Sequence, residues 1–184
     1  QVLILDKIGV IGGALCQKID KNSLIVFVSC KRQEFIKDFP NIIYVSYDKK
    51  TPLVPDGDYS HIIVIDDQSS VSEEILESFM KKSKEKNSVF VFITYLKNAD
   101  RKLIADIVSS YNKSKVVIYG DVFGKIAIHN VGEFKSIAND FIYQAAIKGK
   151  IEIAGDGLSK TYPIFLDDLV LKIIDKVFDS SSVS

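Results

Sequence analysis

Six short apolar runs alternate with segments of helical spacing along this chain, and that alternation most narrows what it can fold into. The runs are Val2–Leu5, Ser23–Val28, Ile42–Val45, His61–Ile65, Val89–Ile93 and Val116–Tyr119. They are rich in β-branched residues and carry no polar alternation, as expected of strands buried on both faces of a parallel sheet. Between them, Ile11–Ile19, Glu34–Lys37, Ser72–Lys84 and Asp100–Ser110 have helical patterns. Glu73 and Glu74 open the third of these and Lys81-Lys82 close it, as the helix dipole prefers. Leu103, Ile104, Ile107 and Val108 give the fourth an apolar face. The pattern predicts an α/β fold with a doubly wound parallel sheet.

A chain of 184 residues is one domain, or one domain with a small appendage. The character changes near Gly124, which divides the expected organisation into a core (1–124), a small C-terminal part (125–178) and a frayed tail (179–184). The C-terminal part reads as a helix over Glu133–Lys148, a strand Ile151–Ile153, a turn at Gly155-Asp156-Gly157, an extended Tyr162–Leu166 and a helix Asp167–Phe178. Lys plus Arg number 24 and Asp plus Glu number 24, so the basic face of a nucleic-acid binder is not expected. No apolar run reaches the ~18 residues of a membrane span. Cys16 and Cys30 lack the spacing of a redox or zinc motif and read as buried or half-buried thiols of a reducing compartment, which makes the cytoplasm the expected location. The chain opens at Gln1 directly in a strand, so residues preceding it are expected. His61 and His129 have no second ligand at metal spacing, and no metal site is expected.

After the first strand comes Asp6-Lys7-Ile8-Gly9-Val10-Ile11-Gly12-Gly13. A Rossmann dinucleotide fingerprint needs glycine at the tight turn, at the pyrophosphate and at the helix–strand contact. Gly9 and Gly12 have the spacing of the second and third, so the backbone of Gly9, Val10, Ile11 and Gly12 is the expected phosphate cradle. Asp6 stands where the first glycine belongs, and its charge opposes a pyrophosphate. Two readings follow: a cofactor site, or glycines serving helix–sheet packing alone. At the end of the second strand, where a carboxylate selects a bare ribose, Lys31 and Arg32 favour the 2′-phosphate of NADP over NAD, unless they are a solvated pair.

Further along stand Tyr44-Val45-Ser46-Tyr47-Asp48, then Tyr119-Gly120-Asp121-Val122-Phe123-Gly124, then Gly155-Asp156-Gly157, and Tyr162-Pro163-Ile164-Phe165-Leu166-Asp167-Asp168. With the glycine turn, this order resembles the extended short-chain dehydrogenase/reductases, the NAD(P)-dependent nucleotide-sugar epimerase/dehydratase family, from about residue 2 to 178. The resemblance implies a Rossmann core, a bound NAD or NADP, a nucleotide-sugar substrate and hydride transfer. It implies Asp48 at the adenine and Asp121, Val122 and Phe123 along the nicotinamide and sugar. It also places Thr94 at the Ser/Thr of the fifth strand and Lys97, on a helix running to Tyr111, at the catalytic lysine. The tyrosine expected four residues before that lysine is replaced by Ile93. Tyr95 is the substitute candidate, forming an improvised trio with Thr94 and Lys97. Tyr111-Asn112-Lys113-Ser114-Lys115 has the right spacing but falls in a turn.

The arginine that grips the substrate phosphate in such proteins is replaced by Thr161, leaving Lys160 as a weaker point charge. Asp66-Asp67 ends the fourth strand, where small apolar residues are usual, and reads as capping or solvent-exposed. Asp167-Asp168 reads as a helix cap and first-turn acid. A homodimer is compatible with the resemblance, through the helices Ser72–Lys84 and Asp100–Tyr111, although Lys102, Asp106 and Ser109 make that face polar. Three functions remain. One is an NAD(P)-dependent epimerase, dehydratase or reductase acting on a nucleotide sugar; the second is a catalytically degenerate member serving as a nucleotide-binding, regulatory or partner subunit; the third is a binding module that has lost the cofactor altogether.

Overall fold

Parallel neighbours cannot be joined by a tight hairpin, so each crossover must carry a helix or a long segment over one face of the sheet. The computed structural model, which describes residues 1–30, 34–47, 54–67, 71–124, 136–153 and 155–178, is built this way. Its elements are β1 (Val2–Asp6), α1 (Val10–Lys18), β2 (Ile25–Ser29), a 3-10 turn (Glu34–Asp38) and β3 (Ile42–Ser46). Then follow β4 (His61–Asp66), α2 (Glu73–Lys86), β5 (Val89–Tyr95), a 3-10 turn (Leu96–Asn98), α3 (Arg101–Ser110) and β6 (Ser114–Tyr119). The chain ends with β7 (Val122–Phe123), α4 (Ile137–Tyr143) continuing into a π turn (Gln144–Lys148), β8 (Ile164–Phe165) and α5 (Leu166–Phe178).

The main sheet has the order β3-β2-β1-β4-β5-β6, all parallel, which is the doubly wound Rossmann arrangement. Strand side chains alternate between its faces. Val2, Ile4, Phe27, Ile63, Ile65, Val91 and Ile93 meet α1 and α5 on one face. Leu3, Leu5, Val28, Ile62, Val64, Phe90 and Phe92 meet α2 and α3 on the other. The continuous apolar runs are thus buried on both faces in the four central strands. They are not at the edges, where Ile43 of β3 and Ile118 of β6 are about half exposed (48% and 47%) because no further element among the described residues covers them.

Each helix start has a local cause. Gly9 precedes α1 with φ 89°, a left-handed conformation that glycine adopts without a Cβ penalty. Asp100 accepts backbone N–H bonds from Lys102 and Leu103 and so caps α3. The helix therefore begins at Arg101, and Lys97 lies apart from it on the preceding 3-10 turn. Of the apolar face expected on α3, Ile107 is buried while Val108 is half exposed. Cys16 is buried in α1, but Cys30 is exposed just past β2, contrary to its expected burial.

In the C-terminal part, Ile151–Ile153 forms no strand and is exposed. The extended segment pairs only at Ile164 and Phe165, as a two-stranded parallel sheet with Val122 and Phe123. Leu166 already belongs to α5, whose first turn holds Asp167 and Asp168. Leu166, Leu169, Val170, Ile173 and Val177 of α5 join the same core cluster as α1. The tail 179–184 lies outside the described residues. The Tyr111–Lys115 segment turns at Asn112 and Lys113 and enters β6 at Ser114: the Tyr111 hydroxyl donates to the Ser88 carbonyl at 2.6 Å, and Lys115 Nζ caps α5 at the Lys176 carbonyl, 2.7 Å away.

Candidate functional site

In a doubly wound sheet, ligands meet the carboxyl ends of the strands beside the point where strand order reverses, here between β1 and β4. Asp6 is the last residue of β1 and is wholly buried. Its face is that of Val2 and Ile4, so its side chain reaches under the turn into α1. Gly9 N donates to Asp6 Oδ1 at 2.7 Å, and Gly12 N donates to Asp6 Oδ2 at 2.6 Å. These are backbone donors that a pyrophosphate would need, and the carboxylate of the same chain has taken them. Burial raises the Asp6 carboxyl to about 6, against the opposing pull of the N–H bonds from Gly9 and Gly12. Gly12 lets α1 approach this closely, since a Cβ there would lie 2.7 Å from Asp6 Cβ and 2.9 Å from Phe27 Cε2.

The surroundings are acidic as well. Asp66 and Asp67 are buried, 8% and 1% exposed, which corrects the solvent-exposed reading of this pair. Asp66 Oδ1 accepts from Val71 N at 3.0 Å, just before α2, so its backbone-capping role is real. Tyr119, at the end of β6, is also buried, and its hydroxyl is held strongly protonated by burial, with Asp67, Asp6 and Asp66 adding to the effect.

The expected trio of Thr94, Tyr95 and Lys97 is not assembled. Thr94 and Tyr95 are consecutive in β5 and project to opposite faces: Tyr95 packs with the α1–α5 cluster, and Thr94 shares the face of Phe92. The Thr94 hydroxyl is buried with no hydrogen-bond partner among the described residues. Lys97 is exposed, its Nζ 5.9 Å from the Tyr95 ring centroid. Tyr95 donates its hydroxyl to Asp121 Oδ1 at 2.7 Å, and burial followed by that bond raises the phenol to about 12. A catalytic tyrosine base needs the opposite shift, toward neutrality.

Asp121 is 5% exposed and also receives the Thr161 hydroxyl on Oδ2. Its carbonyl accepts from Ile164 N at 2.8 Å. Asp121 therefore clasps the segment before β8 to the end of β5 and does not present its carboxylate to a substrate. Val122, buried in the core at 1% exposure, cannot line a sugar pocket. Phe123 is half-buried and meets the Phe165 ring at 5.6 Å. Lys160 is exposed. Lys31, Arg32, Asp48 and His129 lie outside the described residues. Thr161 is legible in the sequence only as a lost arginine, and its bond to a residue 40 positions away has no local signal. Because Asp121 is buried and receives the Tyr95 hydroxyl, Tyr95→Phe should cost about 2 kcal/mol of stability in urea unfolding, the range for a buried polar group that loses its partner. An unchanged midpoint would show that Thr161 alone satisfies Asp121.

Fold and site together define an α/β protein with a six-stranded parallel Rossmann-like sheet, whose glycine turn is closed by its own carboxylate. Among solved structures the chain is similar to the capsular polysaccharide assembling protein CapF from Staphylococcus aureus, with TM-score 0.56 and 13% identity over 100% of this chain and 48% of that one. It is likewise similar to CapF with the inhibitor 3-isopropenyl-tropolone, with TM-score 0.58, 13% identity and the same coverage. The chain thus spans about half the length of these chains, and the likeness concerns the fold. No family model matches the sequence, and no curated protein matches it. No described helix is long and apolar enough to cross a membrane.

Proposed function

We propose that this chain is a Rossmann-fold protein of nucleotide-sugar epimerase/dehydratase ancestry that does not carry out hydride transfer and works as a regulatory or partner subunit. The observation that carries this reading is the Asp6 carboxylate bound to Gly9 N and Gly12 N. Among the described residues, the glycine turn does not fit the pyrophosphate of NAD or NADP. A pyrophosphate would have to displace a carboxylate bonded at 2.6–2.7 Å, then share its surroundings with Asp66 and Asp67. The dispersal of Thr94, Tyr95 and Lys97 supports the same reading, as does the inward use of Asp121. The likeness to a capsular polysaccharide assembling protein directs the search for its partner toward proteins that handle nucleotide sugars or build polysaccharide.

The test is a thermal-shift and calorimetric titration with NAD, NADH, NADP and NADPH. A ligand that binds only the native state adds about 2.7 kcal/mol of stability at a hundredfold excess over Kd. We expect no change in melting temperature and no heat of binding with any of the four at millimolar concentration. Saturable binding of one of them would restore the oxidoreductase reading, and preference for the phosphorylated forms would return Lys31 and Arg32 to the site.

A further inference from the structure

A helix packed on the surface of a domain buries its apolar stripe and gives its polar residues to water. From Ile142 onward, α4 and its π turn do the reverse. Gln144 is buried: its amide donates to Asp140 Oδ2 at 2.7 Å, and its Oε1 accepts from Glu152 N at 2.7 Å. Ile142, Tyr143 and Ile147 are exposed, Ile147 by 68%. The helix is nonetheless anchored at its start, where Ser136 caps it by accepting from Asn139 N, and Asn139 Oδ1 accepts from Gly124 N at 3.3 Å. Its apolar residues therefore face outward from a fixed position.

Neighbouring segments extend this face. The bond from Glu152 N holds residues 151–153 against the π turn, and Ile151 and Ile153 on either side of Glu152 are both exposed. A Cβ on Gly157 would lie 3.4 Å from Ile153 Cγ2, so the following turn folds back toward Ile153 and carries Leu158, 79% exposed. At about 100 Å² each, these six apolar residues offer on the order of 600 Å², the upper limit for a monomer. Exposed Ala145 and Ala146 and the stems of Lys148 and Lys150 bring the face toward the ~800 Å² that each partner gives to a stable interface. Its charges are balanced: between residues 136 and 162, Lys148, Lys150 and Lys160 stand against Asp140, Glu152 and Asp156. Lys150 pairs with Glu152 at 2.8 Å. A nucleic acid or an anionic lipid surface calls for a basic excess, and a strongly charged protein for an excess of the opposite sign. A second copy needs neither, and a two-fold arrangement lets lysines of one copy face acids of the other.

We propose that the outward face of α4 and its π turn, with Ile151, Ile153 and Leu158, is the pairing surface of a two-fold dimer of this chain. This goes beyond the partner-subunit reading and stands on residues remote in sequence from the glycine turn, so either can fail alone.

The test is analytical ultracentrifugation of the whole chain over a concentration series, beside the double variant Ile147→Glu, Ile153→Glu and the control Val108→Glu on α3. All three changed residues are exposed, so the fold should be retained, and circular dichroism checks this. We expect the unaltered chain and the control to reach twice the monomer mass. The double variant should associate at least roughly a hundredfold more weakly, because each contact would bury unpaired carboxylates. Hydrogen exchange of the unaltered chain, compared between dilute and concentrated samples, gives a readout that needs no variant: protection should rise in α4, the π turn and residues 151–153. A chain that stays monomeric at roughly 100 μM overturns the proposal. So does a dimer that survives the double variant but is lost in Val108→Glu, or protection confined to α2 and α3, since pairing would then use the helices flanking β5. Binding of the monomer to phosphatidylglycerol vesicles through this face, with no dimer in solution, overturns it in favour of a lipid surface. The dinucleotide titration reads a different site, so failure here leaves the partner-subunit reading standing, and cofactor binding would remove that reading without touching the dimer.

Discussion

Replacing Gly12 by alanine should lower the free energy of unfolding by about 3 kcal/mol, toward the upper end of overpacking effects. For a chain of this size that corresponds to a fall in melting temperature of roughly 6–12 °C. The new methyl group would sit 2.7 Å from Asp6 Cβ and 2.9 Å from Phe27 Cε2. Neither neighbour can withdraw. Asp6 is held by the backbone of the very turn that carries Gly12, and Phe27 is a fully buried residue of β2. Any outward shift of α1 would stretch the bonds from Gly9 and Gly12 to the carboxylate, so packing and polar losses add. Gly120 is placed at least as tightly: a Cβ there would collide with the Tyr162 carbonyl, in a segment that Thr161 and Ile164 bind to Asp121 on either side. Thermal melts of Gly12→Ala decide the matter. A fall of less than about 1 kcal/mol would mean that α1 is not clamped to β1 through Asp6.

The second large effect is on pH dependence. The Asp6 carboxyl titrates at about 6 in the folded chain against 3.8 as its ordinary value, because burial disfavours the charge more than the N–H bonds stabilise it. Between those values the native state binds the proton and the unfolded state does not. Stability from this group is therefore greatest at the acid end and is lost as pH rises from about 4 toward 7. A shift of about two units corresponds to about 3 kcal/mol. Asp6→Asn removes the titration, so the stability of the unaltered chain relative to the variant should fall by about that amount between pH 4 and pH 7. The difference cancels contributions from other acids and is read from urea unfolding at each pH. A difference that stays flat across this range would place Asp6 in the ordinary carboxylate range, fully held by its N–H donors.

Much of the architecture is legible in the sequence. β-branched runs alternating with helical spacing predict the parallel sheet, and each of the six strands lies within two residues of its expected bounds. The dispersal of Thr94 and Tyr95 is also legible in principle, since neighbours in a strand must face opposite ways. What hides it is the resemblance, which matches positions in a pattern without asking which face each side chain takes. Asp6 is visible as a carboxylate where glycine belongs. Its role is not, because that depends on whether it points away from the turn or under it.

The sequence alone determined the class of fold and the glycine turn into α1, because these follow from periodicity, spacing and residue type; the unusual residues Asp6, Ile93 and Thr161 stand out only against the pattern the sequence resembles. Tertiary structure decided the rest. The Asp6 carboxylate takes the cradle's N–H groups, Asp66 and Asp67 are buried, Thr161 bonds Asp121 across 40 positions, and Ile43 and Ile118 are left uncovered at the sheet edges. Each depends on what the folded chain brings beside a residue, and burial, hydrogen-bond partnership and charge balance are properties of those neighbours, which no local pattern encodes.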